Sequence, residues 1–284
     1  MRASWYRPLL ALLLLFSTVA APVRAADLPL VAAVKHNDLA KTRTLLKGAS
    51  RDAVTLALFN AAAFNAKPAI VSLLLQHGAD VNAKLDTNHA TMLHYAALDA
   101  APAVMSLLLK RGANIDATDQ DLFTPLDWAA QDDKMVNVKY LLAHGANGPD
   151  ALVRETYWKK PEAVTALLNA GVNVNARSNE VGKKGETAII EAAFVNDVGL
   201  ARLLLDHGAD ANMVRPGSDN MPTALMLAAY NCNSDLIALL AAHGARDTIR
   251  NSDGHNAYDL AQSGYTNNMS PCSSDVLAAL SNLR

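Results

Sequence analysis

Short leucine-rich runs recur along the chain, and each closes on a polar pair and a glycine. Leu73-Leu74-Leu75-Gln76-His77-Gly78 is followed by Leu107-Leu108-Leu109-Lys110-Arg111-Gly112 and later by Leu203-Leu204-Leu205-Asp206-His207-Gly208. Gly48, Gly145, Gly171 and Gly244 close comparable runs, so seven glycines recur at intervals of 26 to 37 residues. Counted back from the last six, one column is all leucine: Leu74, Leu108, Leu141, Leu167, Leu204 and Leu240. Further back stand alanine pairs, Ala62-Ala63, Ala96-Ala97, Ala129-Ala130, Ala192-Ala193 and Ala228-Ala229, and before four of these a threonine, Thr91, Thr124, Thr187 or Thr223. The pattern predicts one unit repeated: a short helix capped by the threonine hydroxyl, a turn, and a second helix ended by a left-handed glycine. Alanine pairs let neighbouring helices approach closely, and leucine fills the seam between units. A single helix pair cannot bury its apolar face, so the units must stack.

Two openings carry a more specific signal. Thr124-Pro125-Leu126-Asp127-Trp128-Ala129-Ala130 and Thr91-Met92-Leu93-His94-Tyr95-Ala96-Ala97 resemble the signature start of ankyrin repeats, and Gly78-Ala79-Asp80-Val81-Asn82 resembles their close. The likeness covers nearly all of residues 27–284. It implies an all-α ankyrin-repeat solenoid of about eight helix-turn-helix units with short β-turn fingers, which binds another protein and is not an enzyme. On this reading residues 26–284 form a single domain. Its N-terminal cap is a degenerate unit at 27–49, its C-terminal cap spans 252–284, and an irregular unit at 148–176 puts Glu155-Thr156 where an alanine pair belongs. Extra residues near Arg177–Gly185 and Val214–Met221 read as lengthened fingers.

Composition sharpens the picture at the N-terminus. Arg2 and Arg7 precede an apolar run from Leu9 to Ala21, and Val23-Arg24-Ala25 has the small-x-small form of a cleavage site, so residues 1–25 read as a signal peptide. The run is too short to span a bilayer, and no stable membrane insertion is expected after cleavage. Removing residues 1–25 takes away three arginines and no acid, leaving 22 basic and 27 acidic side chains. That balance gives no electrostatic case for nucleic acid.

The chemistry-bearing residues are few. His77, His144, His207 and His243 each precede a repeat glycine, where capping hydrogen bonds are their expected role, and no ligand set with metal spacing emerges. No phosphate loop, nucleophile elbow or zinc-protease motif is present, so no catalytic residue, metal or cofactor is expected. Glu155 stands at a packed position and needs a partner, for which Arg154 and Lys159 are the candidates. Cys232 lies in the turn between the helices of its unit. Matching Ser234-Asp235-Leu236 with Ser274-Asp275-Val276 puts Cys272 in the same turn of the next unit, so an oxidising compartment favours a Cys232–Cys272 disulfide.

The residues ending each first helix form the expected partner-binding face. They are Phe64, Leu98, Gln131, Tyr157, Phe194 and Tyr230, with Asp99, Asp132 and Trp158 beside them. Large aromatic anchors beside acidic residues suit a protein interface; the alternative is that they pad the junctions between units. The expected function is an exported protein, periplasmic or secreted, that serves as adaptor, accessory protein or inhibitor of another protein. Immunity against a secreted toxin is one alternative, and an enzyme or effector using residues 150–176 is another.

Overall fold

The structure, a computed structural model, describes residues 28–283 apart from 65, 85–87, 100–101, 181–182, 218–220 and 264–269, together with the side chain of Asp99. The signal peptide expected at 1–25 lies outside the described residues. Helices follow one another in pairs: α1 (Leu28–Lys35) with α2 (Leu39–Leu45), α3 (Arg51–Ala63) with α4 (Pro68–Gln76), α5 (Met92–Asp99) with α6 (Pro102–Lys110), and α7 (Pro125–Gln131) with α8 (Met135–Ala143). Then come α9 (Gly148–Tyr157) with α10 (Pro161–Asn169), α11 (Ala188–Phe194) with α12 (Val198–Asp206), α13 (Ala224–Tyr230) with α14 (Ser234–Ala242), and α15 (Ala257–Ser263) with α16 (Ser274–Ser281). Among the described residues β-structure is limited to isolated bridges, Lys84 with Thr91 and Val214 with Thr223. None of the described helices is long and apolar enough to cross a membrane.

The chain divides into two compact units, Met1–Ala146 and Asn147–Arg284. In the first, α1, α3, α5 and α7 pack in succession, as do α2, α4, α6 and α8; in the second, α9, α11, α13 and α15 form one layer and α10, α12, α14 and α16 the other. The leucine column explains the cohesion of the outer layers. Leu74, Leu108, Leu141, Leu167, Leu204 and Leu240 are all fully buried, each stabilising the stack by about 1.5–3 kcal/mol relative to exposure. Ala96, Ala97, Ala129 and Ala130 are buried between first helices, as are Ala192, Ala193, Ala228 and Ala229 in the second unit.

Caps explain where the helices begin and end. The Thr124 and Thr223 hydroxyls accept from the amides of Asp127 and Met226, whereas Thr187 holds the same position without a side-chain capping bond. Thr91 instead gives its amide to Nδ1 of His94 at 3.0 Å, and His94 Nε2 reaches the Phe123 carbonyl of the next repeat at 3.0 Å. That geometry fixes the neutral tautomer with the proton on Nε2, and burial lowers the His94 pKa to about 4. Two first helices lack the threonine opening and are longer, α3 starting from Ser50 and α9 from Asn147, each with its side chain accepting from an amide in the first turn.

The repeat glycines behave as expected except one. Gly112 and Gly208 have φ of +84° and +85°, the conformation that ends a helix with least strain in glycine. Gly48 instead closes a 3-10 turn, Leu46–Gly48, without positive φ, because the degenerate first unit runs straight into Ser50 and α3 with no finger between. Four residues past three other glycines an asparagine ties successive fingers together. The Asn82, Asn175 and Asn212 side-chain amides donate to the carbonyls of Gly112, Gly208 and Gly244, and their oxygens accept from the amides of Asn114, Asp210 and Arg246.

A covalent staple closes the second unit. Cys232 and Cys272 are disulfide-bonded with their Cα atoms 5.4 Å apart, joining the α13–α14 turn to the segment just before α16. The turn geometry makes room for it: Cys232 sits at φ +48°, in the left-handed position shared by Asp133, Lys159 and Asn196 in other turns.

Candidate functional site

The residues ending the first helices differ in what they offer to solvent. In the first unit Phe64 is half-buried with the Lys35 ammonium 4.8 Å from its ring centre. Leu98 is half-buried against the cluster of Ala90, Phe123 and Trp128, so it pads a junction more than it presents a surface. Phe123 is itself buried in that core. Gln131 is half-buried, Asp132 is exposed and paired with Lys134 at 3.1 Å, and the Asp99 side chain lies outside the described residues. Aromatic side chains here run inward: Phe59 meets Tyr95 edge-on, and Tyr95 meets Trp128 at 5.5 Å. Trp128 Nε1 donates to Asp119 at 2.8 Å, and desolvation raises the Asp119 pKa despite that bond.

The second unit is different. Tyr157, Trp158 and Phe194 are 39%, 49% and 53% exposed, while Tyr230 in the following repeat is half-buried. Tyr157 and Trp158 lie edge to face, ring centres 5.3 Å apart, at the end of α9. Phe194 ends α11, which packs directly on α9, and equivalent points on packed helices are about 10 Å apart. Three large aromatic side chains thus leave apolar surface in water on one edge of two adjacent repeats, an exposure that folding does not require.

The finger after α10 braces this edge. Arg177 donates from one guanidinium nitrogen to the carbonyls of Gly185 and Val214, at 2.9 and 2.8 Å, linking the two lengthened fingers. Ser178 and the Asn179 amide donate to one oxygen of Asp150 on α9. So held, the finger places Lys183 with its ammonium 3.9 Å from the Tyr157 ring centre and 3.0 Å from the Glu191 carboxylate on α11. Glu186 pairs with Arg215 at 2.7 Å, and burial raises its pKa against the pull of that guanidinium. Tyr157 is therefore fixed by a cation on its face and Trp158 at its edge.

The unit expected to be irregular has a regular first helix. Residues 148–157 form a regular helix in which Arg154, Glu155 and Thr156 are buried. Arg154 turns to Glu180 of the finger at 3.4 Å, while Lys159 is exposed in the following turn. His77, His144, His207 and His243 each place Nδ1 within 3.0 Å of the carbonyl four residues earlier, as capping groups. The brace by Lys183 was beyond sequence reasoning, because it depends on the path of the finger; only the clustering of lysines hinted at it.

Comparison with known proteins places this geometry. The family model for ankyrin repeats, built from three copies, matches residues 30–119, 58–154 and 150–253. A probable E3 ubiquitin-protein ligase of Oryza sativa is 37% identical over 89 residues, which is 31% of this chain and 17% of the ligase. An ankyrin repeat-containing protein of Treponema pallidum is 34% identical over 101 residues, 36% of this chain and 32% of that protein. The chain thus spans less than a third of the length of either relative. The crystal structure of the ankyrin repeat domain of Bcl-3 superposes with a TM-score of 0.57 at 22% identity, covering 89% of this chain and 97% of that one, a likeness of fold.

Proposed function

This chain belongs to the ankyrin-repeat family, whose repeats imply protein–protein interaction, and from that premise we propose that it is an exported scaffold holding another protein through the aromatic edge of its second unit. The single observation that carries the reading is the exposure of Tyr157, Trp158 and Phe194 on adjacent repeats. Aromatic side chains of low conformational entropy, held rigid before binding, are the usual energetic centre of a protein interface. The role is adaptor, accessory protein or inhibitor: a rigid face with nothing reactive on it acts by occupying its partner.

Two features support export. The leader-like residues 1–25 are one, and the disulfide between Cys232 and Cys272 is the other, since such bonds persist in oxidising compartments such as the periplasm. The enzyme reading of residues 150–176 loses ground because Arg154, Glu155 and Thr156 are buried inside α9, where a substrate would not meet them. The test is affinity capture from a periplasmic extract with the full oxidised chain, run beside Tyr157→Ala and Trp158→Ala. A protein retained by the parent and lost from both variants, with the melting temperature unchanged within a few degrees, is the expected result. Equal retention by all three rejects the aromatic edge as the docking surface.

A further inference from the structure

The aromatic edge carries charge of one sign. All four lysines of the second unit fall in two pairs, Lys159-Lys160 and Lys183-Lys184. The first pair follows Trp158 directly in the chain, and the second is the finger segment lying over Tyr157. Lys183 is engaged by Glu191 and the Tyr157 ring. Lys159, Lys160 and Lys184 are exposed, and none forms an ion pair among the described residues. The carboxylates that could offset them are already committed: Glu180 to Arg154, Glu186 to Arg215, Glu191 to Lys183, and Asp197 to capping α12. Glu162, exposed in the first turn of α10, lies two residues after Lys160 and is not ion-paired among the described residues. This basic rim stands on a chain whose acidic side chains outnumber its basic ones, 27 to 25.

We infer that the second unit docks an acidic segment of its partner, with Asp or Glu residues flanking a large apolar side chain that seats on Trp158 and Tyr157. The inference rests on the protein-binding reading above and names the partner's chemistry. The attraction is directional: an aromatic floor desolvates the apolar residue while lysines on both sides meet the acids, steering the approach and setting its register. Lys159 is suited to this by its backbone, since at φ +53° it occupies the left-handed turn position, which costs a lysine stability that glycine would not lose.

That strain supplies a clean variant. Lys159→Gly removes the charge and fits the turn better than lysine does, and with Lys160→Gln it neutralises one side of the rim without touching an aromatic residue. Random dodecapeptides displayed on phage are panned on the full oxidised chain, and the enriched peptides, synthesised with a fluorescein label, are titrated by fluorescence anisotropy. The expected pool carries several Asp or Glu around an aromatic or leucine. Its affinity drops about tenfold or more in the Lys159→Gly/Lys160→Gln variant, and falls as salt rises from about 50 to about 300 mM. A neutral or basic pool, a pool that does not enrich, or an unchanged affinity in the lysine variant overturns the inference. Should Trp158→Ala abolish binding while the lysine variant binds normally, the acidic specificity fails and the docking surface stands; if neither variant alters binding, both fail. Lysine-dependent sedimentation with phosphatidylglycerol vesicles, without acidic peptides in the pool, assigns the rim to a membrane surface and overturns it too.

Discussion

Reducing the Cys232–Cys272 bond perturbs one end of a solenoid and leaves the rest in place. The bond closes a loop with a sequence separation of 40, for which the chain-entropy relation gives about 4 kcal/mol of destabilisation of the unfolded state. Beside it the pair is tied by the Asp247 carboxylate, which accepts from the amides of Ala257 and Tyr258. α15 and α16 are seven and eight residues long, and bury Ala257, Leu260, Ala261, Val276 and Leu280 on a single side of the stack. Ordering each residue costs about 1–2 kcal/mol of backbone entropy, so this terminal pair is the part of the second unit closest to balance. In a stack that behaves as a chain of neighbours, losing the staple is felt first there. Hydrogen exchange of the oxidised protein against protein reduced under native conditions is the assay. Amides in 257–263 and 274–281 are expected to exchange up to about a thousandfold faster on reduction, the factor equivalent to about 4 kcal/mol, with little change in α9 to α12. Thiol titration of the oxidised protein gives no free thiol and two after reduction. Protection of α15 and α16 that survives reduction, with acceleration under tenfold, refutes the claim that the bond holds the terminal repeat.

Three further outcomes follow from the same packing. His94 has its pKa lowered from 6.5 to about 4, so between those values the unfolded chain binds a proton the folded one refuses; its contribution of about 3 kcal/mol is complete above pH 6.5 and is lost as pH falls toward 4. Urea midpoints of the parent should therefore drop more steeply than those of His94→Gln across that window, and parallel slopes would contradict the assignment. Gly208→Ala meets no atom within 4 Å but must sit at φ +85°, a backbone cost of about 1–2 kcal/mol; an unchanged melting temperature would show that the helix end had rearranged. Asn212→Ala removes two bonds to neighbouring fingers and should cost about 1–2 kcal/mol in denaturant unfolding, localised by exchange at Gly244–Arg246.

What could be read from the chain was whatever repeats. Six leucines, four alanine pairs and the glycines at 78, 112, 145, 171, 208 and 244 act through contacts within a unit or with its neighbour, so a column of residues is enough to place them. Reading fails where a residue reaches across irregular backbone. Gly48 has no finger to enter and stays out of the left-handed region. Leu98 belongs to the expected binding column, yet the Phe123 and Trp128 cluster draws it halfway into the core. Arg154 reaches Glu180 and Lys183 reaches Tyr157, both through a finger that is tied to α9 at Ser178. The expected face is a column rich in aromatic residues. That Tyr157 and Phe194 in it are exposed while Phe64, Leu98 and Tyr230 are half-buried depends on packing that no column records.

A photo-reactive benzoylphenylalanine in place of Trp158, in the full-length chain expressed in cells and irradiated, asks the central question without purifying anything first. The same substitution at Val136, an apolar residue 68% exposed on α8, is the control. One defined covalent adduct formed from position 158 and absent from position 136 is the result expected of a docking surface. Adducts of equal pattern from both positions, or none from 158, would contradict it.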